Sequence, residues 1–425
     1  MHPCDQIVAI FSRIYEKSLT TTSGGNISII DDNDDIWVTP AAVDKGSLRA
    51  SDIMLVKRDG TVAGKHKPSL EYPFHKAIYD SRPDIRAIIH AHPPALVSFS
   101  IVHQIPNPNI ISQARHICGP VGYASYELPG SHELGQRIGA EFVKGYNAVI
   151  LENHGAVVGG LDINDAFQRF ETFEFCARTI IYGQTIGEVK YLKDDQIQQF
   201  EEQAVNALPE MEQVEYPSDD RQIRREICHI VHRACRQGLM TSSYGTVSMR
   251  WRDSDFLITP TNVVRWNMDL GDIVQIRNGC REPGKNPSRV TWLHQEIYHR
   301  FPHINSIILT QPPYLMAFGA SHTSLNVHTI PESWFFLQDV PLIPFGAYFR
   351  GQTEILDKLS EGKIPALIVE NDSVLITGDQ LLQTFDRLEV AEFGAKSLVL
   401  ALSIGQLQPI NKQQIEDLRK AFIQN

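Results

Sequence analysis

"KPSLEYPFHKAIYDSRPDIRAIIHAHPP", residues 67 to 94, returns in the second half of the chain as "NPSRVTWLHQEIYHRFPHINSIILTQPP", residues 286 to 313. Working outward, "GNIS" (25–28) falls on "GTVS" (245–248), and "WVTP" (37–40) on "LITP" (257–260). Asp52-Ile53 falls on Asp272-Ile273, and "LENHGAVVGG" (151–160) on "VENDSVLITG" (369–378). A period this long, carried through with so few insertions, means two homologous domains and not a solenoid. The 425 residues also suit two or three domains of ordinary size. The polar, proline-bearing stretch "LPEMEQVEYPSDD" (208–220) has the composition of a linker. Domains are therefore expected at 1–210 and 218–425.

Within the first copy, "NISII" and "DIWVT" alternate around the polar turn "DDNDD" and predict two strands of a meander. "SDIMLVKRDGTVAG" predicts a second pair closed by a "RDG" turn. Ser69 is placed to cap a helix through "LEYPFHKAIYDS" that stops before Pro83. "IRAIIHAH" then reads as a buried strand, and a last helix starts near Asn164. Strands and helices interleave without strict alternation. The expected class is α/β, each domain a mostly antiparallel or mixed sheet covered by helices.

Composition excludes several classes. A formal charge of −11 without a Lys/Arg run argues against nucleic-acid binding. Six cysteines without a CxxC pair fit reduced thiols of a cytoplasmic protein; Cys228 and Cys235, seven apart, share a helix face as small apolar residues. The N-terminus carries no basic segment followed by an apolar one, and Ile7, Ile10, Phe11 and Ile14 instead fall at helical spacing. No apolar run is long enough to span a bilayer.

On a strand, residues two apart point to one face, so His90 and His92 project side by side at its end. That pair alone suits either a metal grip or packing. Glu71 at the start of the preceding helix and His154 in "ENHG" add two donors. The second copy supplies an internal comparison: Val290, Leu309, Gln311 and Asp372 stand at the four positions, while the paired prolines and the "IY" of the helix remain. Four donors changed together inside a surviving scaffold, as residues that work as a unit would.

These stretches ("SGGNIS", "VTP", "KPSLE", "IIHAHPP" and "ENHG", in this order) resemble the class II aldolase/adducin family over most of the first 180 residues, and the second copy resembles the same fold. The resemblance implies that His90, His92 and His154 ligate a divalent metal, most often Zn2+, with Glu71 as a further ligand or as general acid/base. It implies a lyase that cleaves a C–C bond beside a carbonyl in a small sugar-like or hydroxy-acid substrate, through a metal-stabilised enediolate. Only the first domain would be catalytic. Epimerases, dehydratases and decarboxylases on this fold use similar chemistry, and an adducin-like binding or assembly module is the non-catalytic alternative.

Of the family's phosphate-cradling residues the chain keeps Ser23, Gly25, Asn26 and Ser69. It carries Ala41-Ala42 in place of Thr-Gly, and Leu70 in place of a serine, which weakens an anion site. Gly25, Asn26 and Ser69 remain candidate substrate contacts; the plainer readings are a turn residue for Asn26 and a helix cap for Ser69. No motif singles out Tyr123 or Tyr126 as the family's product-protonating tyrosine, and both are assigned to packing. His66, His103, His116 and His132 lack a motif, and His75, matched by His294 in the second copy, is assigned a structural role. In this family single-domain chains form four-fold rings, so a homodimer of the tandem chain is expected to build a pseudo-tetrameric ring. The expected partners are otherwise a small-molecule substrate, with no nucleic acid and no membrane.

Overall fold

The computed structural model describes residues 1–203, 208–362 and 364–422. The chain forms two compact units: Met1–Pro108 with Ala114–Arg178, and Asn109–Gln113 with Thr179 onward.

The first unit holds an eight-stranded sheet of β1 (Asn26–Ile30), β2 (Ile36–Val38), β3 (Met54–Val56), β4 (Val62–Ala63), β5 (Ala87–Ala91), β6 (Val121–Ala124), β7 (Ala148–Leu151) and β8 (Gly155–Gly160). The strands lie in the order β4-β3-β2-β1-β5-β8-β7-β6. All neighbours are antiparallel except β6 and β7. This is the mixed, largely antiparallel sheet that the interleaved pattern predicts, and the "DDNDD" and "RDG" turns join the strands expected of them.

β5, "AIIHA", is buried at every position. It lies between β1 and β8, and a strand covered on both faces reads as a continuous apolar run and not as an alternation. The helix Tyr72–Ser81 precedes it and buries Phe74, His75, Ile78 and Tyr79, one stripe at i, i+1, i+4, i+5. It ends at Ser81, two residues before Pro83, whose ring disfavours helical geometry in Arg82 ahead of it. With Ile88, Ile138 and Phe142 this stripe builds the core on one side of the sheet. The helix Pro3–Glu16 buries Ile7, Ile10, Phe11 and Ile14 and packs on β1 and β2.

Two local expectations shift. The helix begins at Tyr72 with Glu71 as its N-cap, so Ser69 lies two residues too early to cap it; the Ser69 hydroxyl instead accepts the Glu71 amide N–H (3.3 Å). β5 ends at Ala91, so His92 leaves the strand just before the two prolines.

The helix Pro94–Ile101 follows at once, and its buried first turn needs acceptors. The carboxylate of Glu174, on the long helix Ile163–Ile186, accepts from the amides of Ala95 (3.4 Å) and Leu96 (3.1 Å). The second copy repeats the device, Glu392 accepting from Tyr314 and Leu315 at 3.0 and 2.9 Å. Glu174→Ala strands two buried N–H groups and is expected to cost about 2–4 kcal/mol in urea unfolding. A loss below about 0.5 kcal/mol, the scale of a neutral surface change, would contradict this role.

The second unit repeats the topology with β9 (Thr246–Arg252), β10 (Asp255–Ile258), β11 (Val274–Arg277), β12 (Cys280–Arg281), β13 (Ser306–Thr310), β14 (Leu342–Ile343), β15 (Ala366–Val369) and β16 (Ser373–Gly378). Their order is β12-β11-β10-β9-β13-β16-β15-β14, again with one parallel pair, β14 and β15. The repeat seen in the sequence is thus a repeat of architecture. No helix among the described residues is long and apolar enough to cross a membrane.

Candidate metal centre

Three neighbouring strand ends converge on one point. β5 carries His90 and delivers His92 one residue beyond its end, while the tight turn from β7 to β8 carries His154. Asn153 takes a left-handed conformation in that turn (φ 53°), which asparagine tolerates better than most residues. Ring nitrogens of the three histidines lie within 4.8 Å of one another, the one such grouping of three or more potential ligands among the described residues. His90 Nε2 faces His92 Nε2 at 3.0 Å. The carboxylate of Glu71 completes the cluster, Oε2 lying 3.3 Å from His90 Nε2 and Oε1 3.4 Å from His154 Nε2.

The tautomer of His90 follows from its partner. Its Nδ1 lies 2.9 Å from the carbonyl oxygen of Ala156, which can only accept, so Nδ1 carries the hydrogen and Nε2 presents its lone pair. Metal-ligating histidines are commonly oriented by such a second bond. Burial, reinforced by the charges of His92 and His154, holds the His90 pKa well below the usual imidazole range. Burial also lowers His92, and lowers His154 against the opposing pull of Glu71. Neutral imidazole is the form that ligates a metal. Burial raises the Glu71 carboxyl, partly offset by His154 and by a hydrogen bond from Asn26. Glu71 Oε1 is buried without a hydrogen-bond partner, 3.4 Å from His154 Nε2. A divalent cation fits this donor set, since it satisfies the acceptor and three nitrogen lone pairs together.

Glycines allow the close approach. A Cβ on Gly25 (φ 75°) would stand 2.7 Å from the His90 carbonyl oxygen, and one on Gly155 2.6 Å from that of Ala91. Gly25 is therefore a backbone requirement of the His90 strand end. Gly25→Ala is expected to cost at least about 1–2 kcal/mol from the left-handed conformation alone, measured as a lower unfolding midpoint. An unchanged midpoint would contradict the close approach.

Asn26 opens β1 and pairs with His90 across the sheet. Its side chain is 2% exposed; Nδ2 donates to Glu71 Oε2 (2.7 Å), and Oδ1 accepts from His75 Nε2 (2.5 Å). His75 Nδ1 and the Tyr79 hydroxyl both bond the Ser28 hydroxyl at 2.7 Å. Burial pushes the His75 imidazole down to about 3. The part of His75 in this network escaped sequence reasoning, because its persistence as His294 points only to structure.

Three of the histidines without a motif have partners outside the triad. His66 pairs with Asp52, His103 with Asn153 and Glu152, and His132 with Gln136. Tyr126 is exposed and lines, with Glu152 and His154, a cavity of about 50 Å3. Ala42 keeps a left-handed backbone (φ 54°), and Leu70 is 78% exposed.

In the second unit the equivalent positions hold no such cluster. Asp372 is buried, with Ser373 Oγ at 2.8 Å and Ser112 Oγ at 3.3 Å, and burial raises its carboxyl. Gln311 donates to the Asp372 carbonyl (2.7 Å) and Thr310 to that of Leu239 (2.7 Å). Arg289 reaches Gln113 Oε1 at 2.6 Å, and Asn371 donates to the Ile110 carbonyl at 2.8 Å. Residues 109–113 thus fill the end of the second sheet, and the polar groups there are spent on internal bonds.

Fold and donor set together define a tandem α/β protein with one candidate metal centre. Residues 5–181 and 225–399 both match the Class II Aldolase and Adducin N-terminal domain; the chain belongs to the class II aldolase and adducin family, in two copies, and is an enzyme. It is 32% identical over 198 residues to a 5-deoxy-D-ribulose 1-phosphate aldolase of Bacillus thuringiensis serovar kurstaki, covering 46% of this chain and 91% of the relative. It is 29% identical to a 3-oxo-tetronate 4-phosphate decarboxylase of Haemophilus influenzae, covering 46% and 94%. Among solved structures, an L-fuculose 1-phosphate aldolase matches at 29% identity with a TM-score of 0.42, over 46% of this chain and 93% of that one.

Proposed function

We propose that the chain is a divalent-metal-dependent lyase whose first copy alone is catalytic, cleaving a C–C bond beside a carbonyl in a small sugar-like or hydroxy-acid substrate. One observation carries this reading: ring nitrogens of His90, His92 and His154 lie within 4.8 Å of one another, and the Glu71 carboxylate stands beside them, its buried Oε1 without a hydrogen-bond partner and 3.4 Å from His154 Nε2. These histidines are the assigned ligands, and Zn2+ the assigned ion, because three imidazoles with an adjacent carboxylate suit it. When bound, the ion supplies Lewis-acid stabilisation to charge developing on a substrate oxygen beside the breaking bond. Glu71, with its pKa raised by burial, takes or returns the proton at the reacting group. Neighbouring strand ends hold the donors in place before substrate arrives, so little reorganisation remains for the reaction.

Ala41, Ala42 and Leu70 supply no side-chain hydroxyl, and Leu70 presents an exposed apolar side chain. The substrate is therefore assigned a carboxylate or hydroxyl-rich end in place of a phosphate, in contrast to the phosphate esters in the relatives' names. Decarboxylation of a 3-oxo acid is the second reading, favoured by the likeness to a decarboxylase. Zinc-loaded protein incubated with ketoses, their phosphates and 3-oxo acids, followed by NMR, tests both. Aldehyde product from an unphosphorylated ketose supports the lyase, and CO2 release without aldehyde favours the decarboxylase. Turnover of phosphate esters alone would overturn the substrate assignment.

The duplicated domains are placed at 1–210 and 218–425, and a homodimer forming a pseudo-tetrameric ring is the proposed assembly. The second copy would then serve as scaffold, in keeping with the internal bonds that occupy its sheet end. A monomer in sedimentation at micromolar concentration would contradict that assembly.

A further inference from the structure

Resting on the metal reading above, we infer that Asn26 is a positioning residue that locks the Glu71 carboxylate, as the inner link of a hydrogen-bond chain that runs on through His75 and Ser28 to Tyr79. The bonds have one consistent direction. The carboxylate accepts, so the Asn26 amide must turn Nδ2 toward Glu71 Oε2, and the distance of 2.7 Å is that of a charge-assisted bond. Oδ1 then faces His75 Nε2, which must carry the hydrogen, leaving Nδ1 as acceptor. Ser28 donates to that nitrogen and accepts from the Tyr79 hydroxyl. Turning the Asn26 amide over would set two acceptor oxygens 2.7 Å apart, so the chain of bonds holds one arrangement.

The second copy shows which link belongs to the metal centre. Ser248 bonds His294 Nδ1 and the Tyr298 hydroxyl, both at 2.7 Å, as Ser28 bonds His75 and Tyr79. That triad is therefore scaffold and persists where no ligand set exists. Thr246 stands where Asn26 does, and its hydroxyl turns to Ser288 at 2.7 Å. Val290 replaces Glu71, and His294 Nε2 is left buried without a hydrogen-bond partner. Asparagine at this position thus accompanies the carboxylate that it holds. The assignment also explains why Asn26, at 2% exposure, opens a strand and not a turn. Both ends of its amide are committed inside the protein.

Asn26→Thr tests this, because the second copy carries threonine at the same place within the same sheet and helices. Co2+ affinity is measured by chelator competition and the visible spectrum of the loaded full-length protein is recorded, for Asn26→Thr, for Glu71→Gln and for the double variant. The expected result is an affinity about 10–100-fold weaker for Asn26→Thr, the usual cost of losing a group that orients a ligand, with shifted absorption bands. In the Glu71→Gln background the same substitution is expected to change neither, because the carboxylate it positions is gone. Parent-like affinity and spectrum in Asn26→Thr would overturn the assignment. An equal loss in both backgrounds would also overturn it, since a merely structural role predicts that loss. Failure of the unmodified chain to bind Co2+ or Zn2+ would instead strike the metal reading itself, and the assignment would fall with it.

Discussion

A chain carrying His90→Ala and His92→Ala is expected to lose its divalent ion and its activity together while keeping its fold. His90 is fully buried and its Nε2 faces His92 at 3.0 Å, so the two substitutions remove two of the three nitrogen donors. Removing half of a four-donor set forfeits on the order of 5 kcal/mol of binding free energy, more than about 10³-fold in affinity. The fold survives because the second copy already carries Leu309 and Gln311 at these positions, in the same strand order. Metal content by atomic emission and the far-ultraviolet circular dichroism spectrum check both halves. Retention of a full metal equivalent by the variant would refute the ligand assignment.

Glu71→Gln separates binding from chemistry. The three imidazoles remain, His90 Nδ1 stays tied to the Ala156 carbonyl, and the ion is expected to stay bound under saturating metal. The amide cannot exchange a proton near neutral pH, so kcat is expected to fall about 10²–10⁴-fold once the substrate is known, with a smaller change in KM. A variant with parental kcat would remove Glu71 from proton transfer and leave it at most a ligand.

Much of this architecture is legible in the sequence, because the chain writes its fold twice. Strand β5 follows from the apolar run ending in paired prolines, and the helix before it from the segment "LEYPFHKAIYDS" and its stop ahead of Pro83. The four donors stand out because Val290, Leu309, Gln311 and Asp372 replace them in an otherwise retained frame. What escapes the sequence depends on register. That Asn26 stands opposite His90 follows from the pairing of β1 with β5, strands separated in the chain by three others and a helix. The Asn26 bond to Glu71 joins residues 45 positions apart, and no periodicity signals it. The close packing of Gly155 on the Ala91 carbonyl follows only from the approach of β5 and β8. Residues 109–113 give no sign in sequence that they belong to the second compact unit, where their bonds to Asn371, Asp372 and Arg289 are long-range.

The most direct test of one metal centre per chain is the stoichiometry of Zn2+ binding to the unmodified, metal-stripped protein, read by calorimetric titration. One tight equivalent per chain, abolished by His90→Ala/His92→Ala and untouched by Asp372→Ala, is the predicted result. No tight binding, or two equivalents with one lost on Asp372→Ala, would contradict the account.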